Sequence, residues 1–389
     1  MDEFCKKYFL TEDHEMIRNL AHDFSVNEIG PRVEELDQEG GAYPRDLMDK
    51  CGELGFFGVC LPEAYGGLEL DTISQMLVLE ELSKVSAGFT SCVQGHSCLA
   101  LSTLVLGGSE EQKQKYLAPA ISGEKICSFA LTEPDSGSDS GSLKTRAEKK
   151  DDGFVLNGSK CWITNMTAAS FFIVAARTDP SAKGSHGISI FIVDADTPGC
   201  SIGAPERKCC ARSCGAGMVY FDDCKVPKEN LVGELNQGFP LMMRGIDKGR
   251  LGIAAISIGI AQEAYDRSVK YANERIAFGK PISHHQSIAF YLAEMAMEID
   301  IARSMLYRVC RMRDNGMDYV AEAASVKLYA SEMAVRIAER AIQIHGGNGL
   351  SDEFGIERLW RESKLQTIGE GTSEILKIVI SRRSIAGQY

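Results

Sequence analysis

Residues 154–164 read Phe-Val-Leu-Asn-Gly-Ser-Lys-Cys-Trp-Ile-Thr. Two short apolar runs flank Asn157-Gly158, a pair that accepts the positive φ of a tight turn. The stretch therefore predicts a β-hairpin around that turn. Residues 171–176 and 188–193 are two further strand candidates, and 217–221 is another, ended by Asp222-Asp223 with Pro227. Short strands at this spacing, over 126–236, point to a small sandwich or barrel.

On either side the texture is helical. Thr11 followed by Glu12 and Asp13 is a helix start, with acids at the positive end of the helix dipole. Ile17, Leu20 and Phe24 recur at helical spacing, and Pro31 disfavours continuation. Past residue 237, Ile288, Leu292, Met295, Ile299, Ala302, Leu306 and Val309 alternate steps of four and three, with Glu294, Glu298, Arg303 and Arg308 off the stripe. That is the seam of a helix bundle. Residues 320–344 predict a second long helix, stopped by Gly346-Gly347-Asn348-Gly349. The order is an N-terminal α-helical domain (1–125), a middle β domain (126–236) and a C-terminal helical domain (237–389).

The chain has 389 residues, 42 Lys+Arg against 54 Asp+Glu, and a formal net charge of −12. That balance excludes disorder and a small disulfide scaffold, and argues against a nucleic-acid backbone as the main partner. The N-terminus has neither the basic start and apolar run of a secretory signal nor the character of a transit peptide. No uninterrupted apolar run reaches about 18 residues, so no membrane span is expected. Thirteen cysteines without a Cys-x-x-Cys pair then imply a reducing cytoplasm. Cys209, Cys210 and Cys214, flanked by Cys200 and Cys224, match no common zinc or iron–sulfur spacing. His284 and His285 are adjacent, so on a helix they point about 100° apart and cannot chelate one ion. No metal is expected, and neither a P-loop nor a Rossmann glycine motif is present.

Four segments carry chemistry. Residues 129–139 read Phe-Ala-Leu-Thr-Glu-Pro-Asp-Ser-Gly-Ser-Asp, a turn rich in hydroxyls and backbone amides that suits a phosphate or a polar heteroaromatic edge. Trp162 and Thr164 stand two apart, which on a strand puts an indole and a hydroxyl on one side. Residues 275–279 read Arg-Ile-Ala-Phe-Gly. Finally, residues 343–349 are followed by Glu370-Gly371-Thr372-Ser373-Glu374, where Gly369 and Gly371 free the backbone around a carboxylate. Taken singly, each also suits an ordinary turn, core tryptophan, helix cap or surface acid.

Together and in this order, the chain resembles the acyl-CoA dehydrogenase family of flavoenzymes. The likeness covers essentially the whole chain, from Leu61-Pro62-Glu63 and Tyr65-Gly66-Gly67 to the last helix. The resemblance implies a C-terminal four-helix bundle, a homotetramer and FAD bound between the β domain and the bundle. Phe129 lies in the first of these segments. By similarity Leu131 and Thr132 meet the isoalloxazine, Trp162 stacks near it, Thr164 reaches flavin N5 and Ser138 contacts phosphate. Arg275 and Phe278 of a neighbouring subunit hold the adenosine and pyrophosphate end, with Gln286, Gln343, Gly347, Thr372 and Glu374. Glu370 matches the base that removes the α-proton of an acyl-CoA thioester while the β-hydride leaves to the flavin. A desolvated pocket would raise its pKa toward the useful range. Asp247 and Arg250 resemble the residues that bind CoA, alongside Ser138, Gly369 and Gly371. Some members carry the base just before an Arg on a bundle helix, and Gly249 here cannot serve.

Three departures bear on specificity. Gly369 replaces a common Tyr and leaves room for a branched, aryl-bearing or otherwise bulky acyl group. Within residues 208–216, Cys214 and Ala216 stand where the family usually has Ser and Thr near the flavin. Residues 88–94 carry no Arg or Lys, which argues against a dicarboxylic acyl group, while Thr90, Ser91 and Gln94 offer polar contacts. The implied activity is acyl-CoA dehydrogenation with electrons exchanged with electron-transferring flavoprotein. The same residues serve a 2-enoyl-CoA reductase, and an acyl-CoA oxidase or a non-catalytic flavin- or CoA-binding member are the alternatives.

Overall fold

Asn157-Gly158 does not turn the chain. The computed structural model describes residues 10–38 and 42–389, so the N-terminal stretch with Cys5 lies outside it. Its sheet comprises β1 (Cys127–Ala130), β2 (Arg146–Lys150), β3 (Gly153–Ile163), β4 (Phe171–Arg177), β5 (Ile188–Asp194), β6 (Cys200–Pro205), β7 (Gly217–Pro227) and β8 (Leu231–Val232). β3 runs straight through Asn157-Gly158, and the tight turn sits at Asp151-Asp152, between β2 and β3. Asn157-Gly158 is instead an irregularity against β7, with a register shift between Leu156 and Gly158. Gly158 has φ 148°, and a Cβ there would lie 2.6 Å from Thr145 Oγ1. The glycine is needed for close approach rather than for a turn. β7 likewise runs on through Asp222-Asp223 to Pro227.

The strand order is β6-β7-β3-β2-β4-β5-β8, with β1 parallel to β4. β4 and β5 are buried on both faces, which is why they read as continuous apolar runs. Phe171, Ile173 and Ala175 face a core shared with helical residues such as Leu101, Leu104 and Met242. Phe172, Val174 and Ala176 pack with Phe154, Leu156, Val219 and Phe221 of β3 and β7. The sheet thus folds over itself as a sandwich, and period-two alternation sorts the two faces.

The helices that matter for the site are α1 (Glu12–Phe24), α2 (Thr72–Val85), α3 (Ala87–Gln94), α4 (Gly238–Glu274), α5 (Gln286–Asp314), α6 (Val320–His345), α7 (Ile356–Gln366) and α8 (Ser373–Ile385). Thr11 caps α1 by accepting from the His14 N–H. The buried stripe of α1 is His14, Ile17, Ala21 and Phe24, while Leu20 is exposed. The α5 seam is buried from Met295 to Val309, and Ile288 and Leu292 are half-buried. Arg303, expected off the seam, is buried too. α5 packs a second face on α2, where the Arg303 guanidinium donates to Glu80 at 2.7 Å, and it also reaches Gln262 of α4 at 2.9 Å.

α3 continues through a π-helical turn, Gly95–Ala100, into Leu101–Gly107. The span Ala87–Gly107 is long and apolar enough to cross a membrane, but 72% of its apolar window is buried inside the protein. His96 ties it to the sheet: its Nδ1 accepts from the Cys127 N–H (3.0 Å) and its Nε2 faces the Ala120 carbonyl (3.0 Å). Burial pushes that imidazole down to about 4, so it stays neutral.

Candidate active site

Glu370 sits in the turn between α7 and α8, with φ 55°, a strained conformation for a residue with a Cβ. Gly371 follows at φ 107°, which glycine adopts readily. Lys327 of α6 donates from Nζ to the Gly371 carbonyl at 2.7 Å. Arg250 of α4 donates from Nε to the Glu370 carbonyl at 3.3 Å. Two cations thus hold the backbone of the turn and leave the side chain free to point elsewhere.

The side chain points at α4. Gln94, the last residue of α3, donates from Nε2 to Glu370 Oε1 at 2.6 Å and to the Gly249 carbonyl at 3.2 Å. The other oxygen, Oε2, is buried without a hydrogen-bond partner, although the residue as a whole is partly exposed. It fills the space where residue 249 lacks a side chain: a Cβ on Gly249 would lie 2.1 Å from it. Gly252, one turn on, makes the same kind of room for Gln94.

This environment shifts several groups at once. Burial raises the Glu370 carboxyl to about 7, against the opposing pull of Gln94, Lys327 and Arg250. Burial lowers the Lys327 ammonium to about 8, with Glu370 opposing. Burial also raises Asp247 to about 6, despite its 2.7 Å ion pair with Arg250. A carboxylate poised near neutrality, with one oxygen uncommitted, is equipped to take a proton.

The segment expected to meet the flavin lies at the end of β1 and is clamped from behind. Lys160, wholly buried on β3, donates to the Leu131 carbonyl (3.0 Å) and to Glu133 (2.7 Å). Cys161 N–H takes the Thr132 carbonyl at 2.9 Å. Phe129 and Thr132 are half-buried, Leu131 is buried and Ser138 is exposed. Trp162 and Thr164 are not two residues of one regular strand. β3 ends at Ile163, its register slips between Lys160 and Ile163, and Trp162 has φ 60°. The kink leaves the indole 58% exposed, while Thr164 is half-buried beside Gly95, the residue after Gln94. An exposed indole on a strained backbone, two residues before a threonine that touches α3's continuation, suits stacking on a planar ligand.

Five of the other residues expected at the cofactor gather elsewhere. Arg275, Gln286, Gln343 and Gly347 are exposed, and Phe278, at φ 53°, is 96% exposed. They lie at the ends of α4, α5 and α6, around the stacked Tyr271 and His345 rings. Thr372 caps α8 by accepting from the Ile375 N–H, and Glu374 is exposed one turn from Glu370. Asp247 and Arg250 are buried, so their polar atoms serve each other and the turn that carries Glu370. Gly369 faces open space: a Cβ there meets only the Leu365 carbonyl, at 3.8 Å.

Sequence reading assigned no role to Lys327 or Asn165, and offered Gln94 only as a polar contact to substrate. Lys327 is one buried lysine in a long Ala-rich helix, a legible signal. Asn165, in the left-handed region at φ 66°, bolts the turn after β3 to α3 by donating to the Cys92 carbonyl at 2.9 Å. Of the cysteine cluster, Cys209 is exposed and Cys210 and Cys214 are buried. Among the described residues, no group of three His, Cys, Asp or Glu side chains is placed to hold a metal. The cysteine loop packs on the start of α3, where Ala211 Cα leaves no room for a side chain at Gly88.

In a helix–sheet–helix chain, a half-committed carboxylate held among the helices has the chemistry of a proton acceptor. Comparison with known proteins gives the class its name. The models for the acyl-CoA dehydrogenase N-terminal, middle and C-terminal domains match residues 11–124, 128–224 and 236–385. The chain is 45% identical to a probable acyl-CoA dehydrogenase of Bacillus subtilis, over 96% of this chain and 98% of that one. It is 41% identical to the caffeyl-CoA reductase-Etf complex subunit CarC of Acetobacterium woodii, with the same coverage. The structure of butyryl-CoA dehydrogenase from Megasphaera elsdenii superposes with a TM-score of 0.95 at 39% identity, covering 99% of this chain and 100% of that one. The chain belongs to the acyl-CoA dehydrogenase family, whose members are oxidoreductases.

Proposed function

We propose that this protein is an FAD-dependent acyl-CoA dehydrogenase whose base is Glu370. The observation that carries the reading is Glu370 Oε2, buried, unpaired and held at a pKa near neutrality. When bound, FAD supplies the acceptor for the β-hydride. Glu370 takes the α-proton, and its own backbone N–H is offered to the thioester oxygen as charge develops there. Leu131, Thr132, Trp162 and Thr164 hold the ring, and Ser138 contacts phosphate.

Arg275, Phe278, Gln286, Gln343 and Gly347 serve the cofactor of a neighbouring subunit. Gly249, beside Glu370, and Arg275 are 26 residues apart, or about 39 Å along α4. That is too far for one dinucleotide to touch both ends of one chain. The site is then completed by assembly, which favours a homotetramer. The cytoplasm is the proposed compartment, and electron-transferring flavoprotein the proposed electron partner, because a relative is a subunit of an Etf complex. The open space at Gly369 favours a bulky or aryl-bearing acyl group.

Reduction of a 2-enoyl-CoA is the second reading, favoured by the likeness to a caffeyl-CoA reductase subunit. Anaerobic titration with a panel of acyl-CoA and enoyl-CoA thioesters tests both. Bleaching by an acyl-CoA, and its absence in a Glu370→Gln variant that stays yellow, is the expected result. Normal bleaching in that variant would overturn the assignment of the base.

A further inference from the structure

The donors around Glu370 are unevenly distributed. Lys327 faces it from α6 and Arg250 from α4, with Asp247 paired behind Arg250 and Cys98 close by on the π-helical turn. Lys327 donates to the Gly371 carbonyl, and Arg250 to the Glu370 carbonyl and to Asp247, so neither bonds the Glu370 carboxyl. Among the described residues, the hydrogen-bond donor on the carboxyl itself is the neutral amide of Gln94, at 2.6 Å. That amide is anchored at two points, because the same Nε2 also donates to the Gly249 carbonyl. Turning it over would set its oxygen against two acceptors. Gln94 is itself buried, lodged over Gly252, where a Cβ would lie 2.8 Å from its Cγ.

We infer that Gln94 is a positioning residue for the base, gripping Glu370 Oε1 so that Oε2 alone is presented to the substrate. This inference rests on the reading of Glu370 as the base. A cation in the place of Gln94 would favour the ionised form strongly and weaken the base. An apolar side chain would leave both oxygens unpaired and free to rotate. A neutral donor sits between these: it aims the carboxylate and stabilises its charge moderately.

The test is the pH dependence of single-turnover flavin bleaching in the FAD-loaded Gln94→Met and Gln94→Glu variants, with Glu370→Gln in parallel. Loss of the donor should move the acid limb of the Gln94→Met profile up by about one unit. At pH 6 the rate then falls roughly tenfold further than at pH 9, where the loss that remains reads the freed rotation of the carboxylate. Gln94→Glu, nearly the same shape, adds a second carboxyl and should raise the limb further, which keeps the test alive if Gln94→Met misfolds. Infrared titration of the Glu370 carboxyl band, identified by its loss in Glu370→Gln, should show the same upward shift. A uniform loss of rate with an unmoved limb, or no change at all, would overturn the inference. Bleaching that survives Glu370→Gln would instead overturn the reading on which it rests.

Discussion

Gly249→Ala should leave the protein folded and nearly inactive. A Cβ on residue 249 would lie 2.1 Å from Glu370 Oε2, 2.8 Å from Cδ and 3.1 Å from Oε1, and its three nearest contacts all belong to that one side chain. Ordinary contact begins near 3.4 Å, so the carboxyl must retreat by about 1.3 Å. No backbone stands in the way, and the helix gains from losing an interior glycine, by roughly 0.5–1 kcal/mol. The retreat, however, disturbs the 2.6 Å bond from Gln94 and moves the base away from the proton it must take. A misplacement of about 1 Å costs on the order of 10²-fold in rate. Stopped-flow bleaching under anaerobic conditions reads the activity, and denaturant unfolding reads the stability. The expected result is a loss of about a hundredfold with stability equal to or above that of the parent. Near-parental bleaching would show that the position of Oε2 does not matter to the chemistry. A variant that unfolds would show that more than the tip of one side chain occupies the space.

Glu370→Gln should be more stable than the parent above pH 7. The folded state raises this carboxyl from 4.5 to about 7, so its contribution to stability is complete below 4.5 and is lost as pH rises through 7. A neutral amide escapes that loss, worth on the order of 3 kcal/mol at pH 8 and vanishing toward pH 4.5, which urea unfolding across pH will read. Gly369→Tyr should fill the open space beside the base and depress kcat/KM for branched and aryl thioesters more than for straight chains; equal ratios across both classes would remove Gly369 as a determinant. Lys160→Met should strand Glu133, which Lys160 holds ionised below its ordinary range, and cost about 3–5 kcal/mol in unfolding together with FAD retention measured by absorbance.

The helices were legible wherever one face meets one partner. The α5 seam and the glycine stop after α6 stand in the structure as spaced. Arg303 was misplaced because α5 has two partners, and a charge off one stripe can lie on another when a buried acid such as Glu80 awaits it. The sheet was less legible for a related reason. Asn157-Gly158 carries the local chemistry of a turn, but the need for a glycine came from Thr145 on the adjoining chain segment, a contact that no local rule contains. Trp162 was singled out on a strand argument that the kink at its own φ removes, and its exposure, rather than a place in the core, came from that kink. Glu370 stood out through its flanking glycines, but they suit a surface acid as well, and its assignment came from the resemblance to the family. Gln94 was not legible, since its meaning depends on a distance between residues 276 apart in the chain.

Buried charge serves two purposes in this molecule, and hydrogen-bond saturation tells them apart. Lys160 and Glu133 form a closed unit, in which the lysine bonds a carbonyl and a carboxylate and the carboxylate also accepts the Lys144 and Thr145 N–H groups. Arg303 and Glu80 are closed in the same way, with Gln262 taking a further guanidinium N–H. Such units fix geometry, and their groups are costly to disturb one at a time. Around Glu370 a lysine and an arginine stand close, with Asp247 paired to the arginine, yet both cations reach the turn only through its backbone carbonyls and one carboxylate oxygen is left open. The charge there is kept near enough to tune a pKa and too far to quench it, which is the arrangement the proposed base requires.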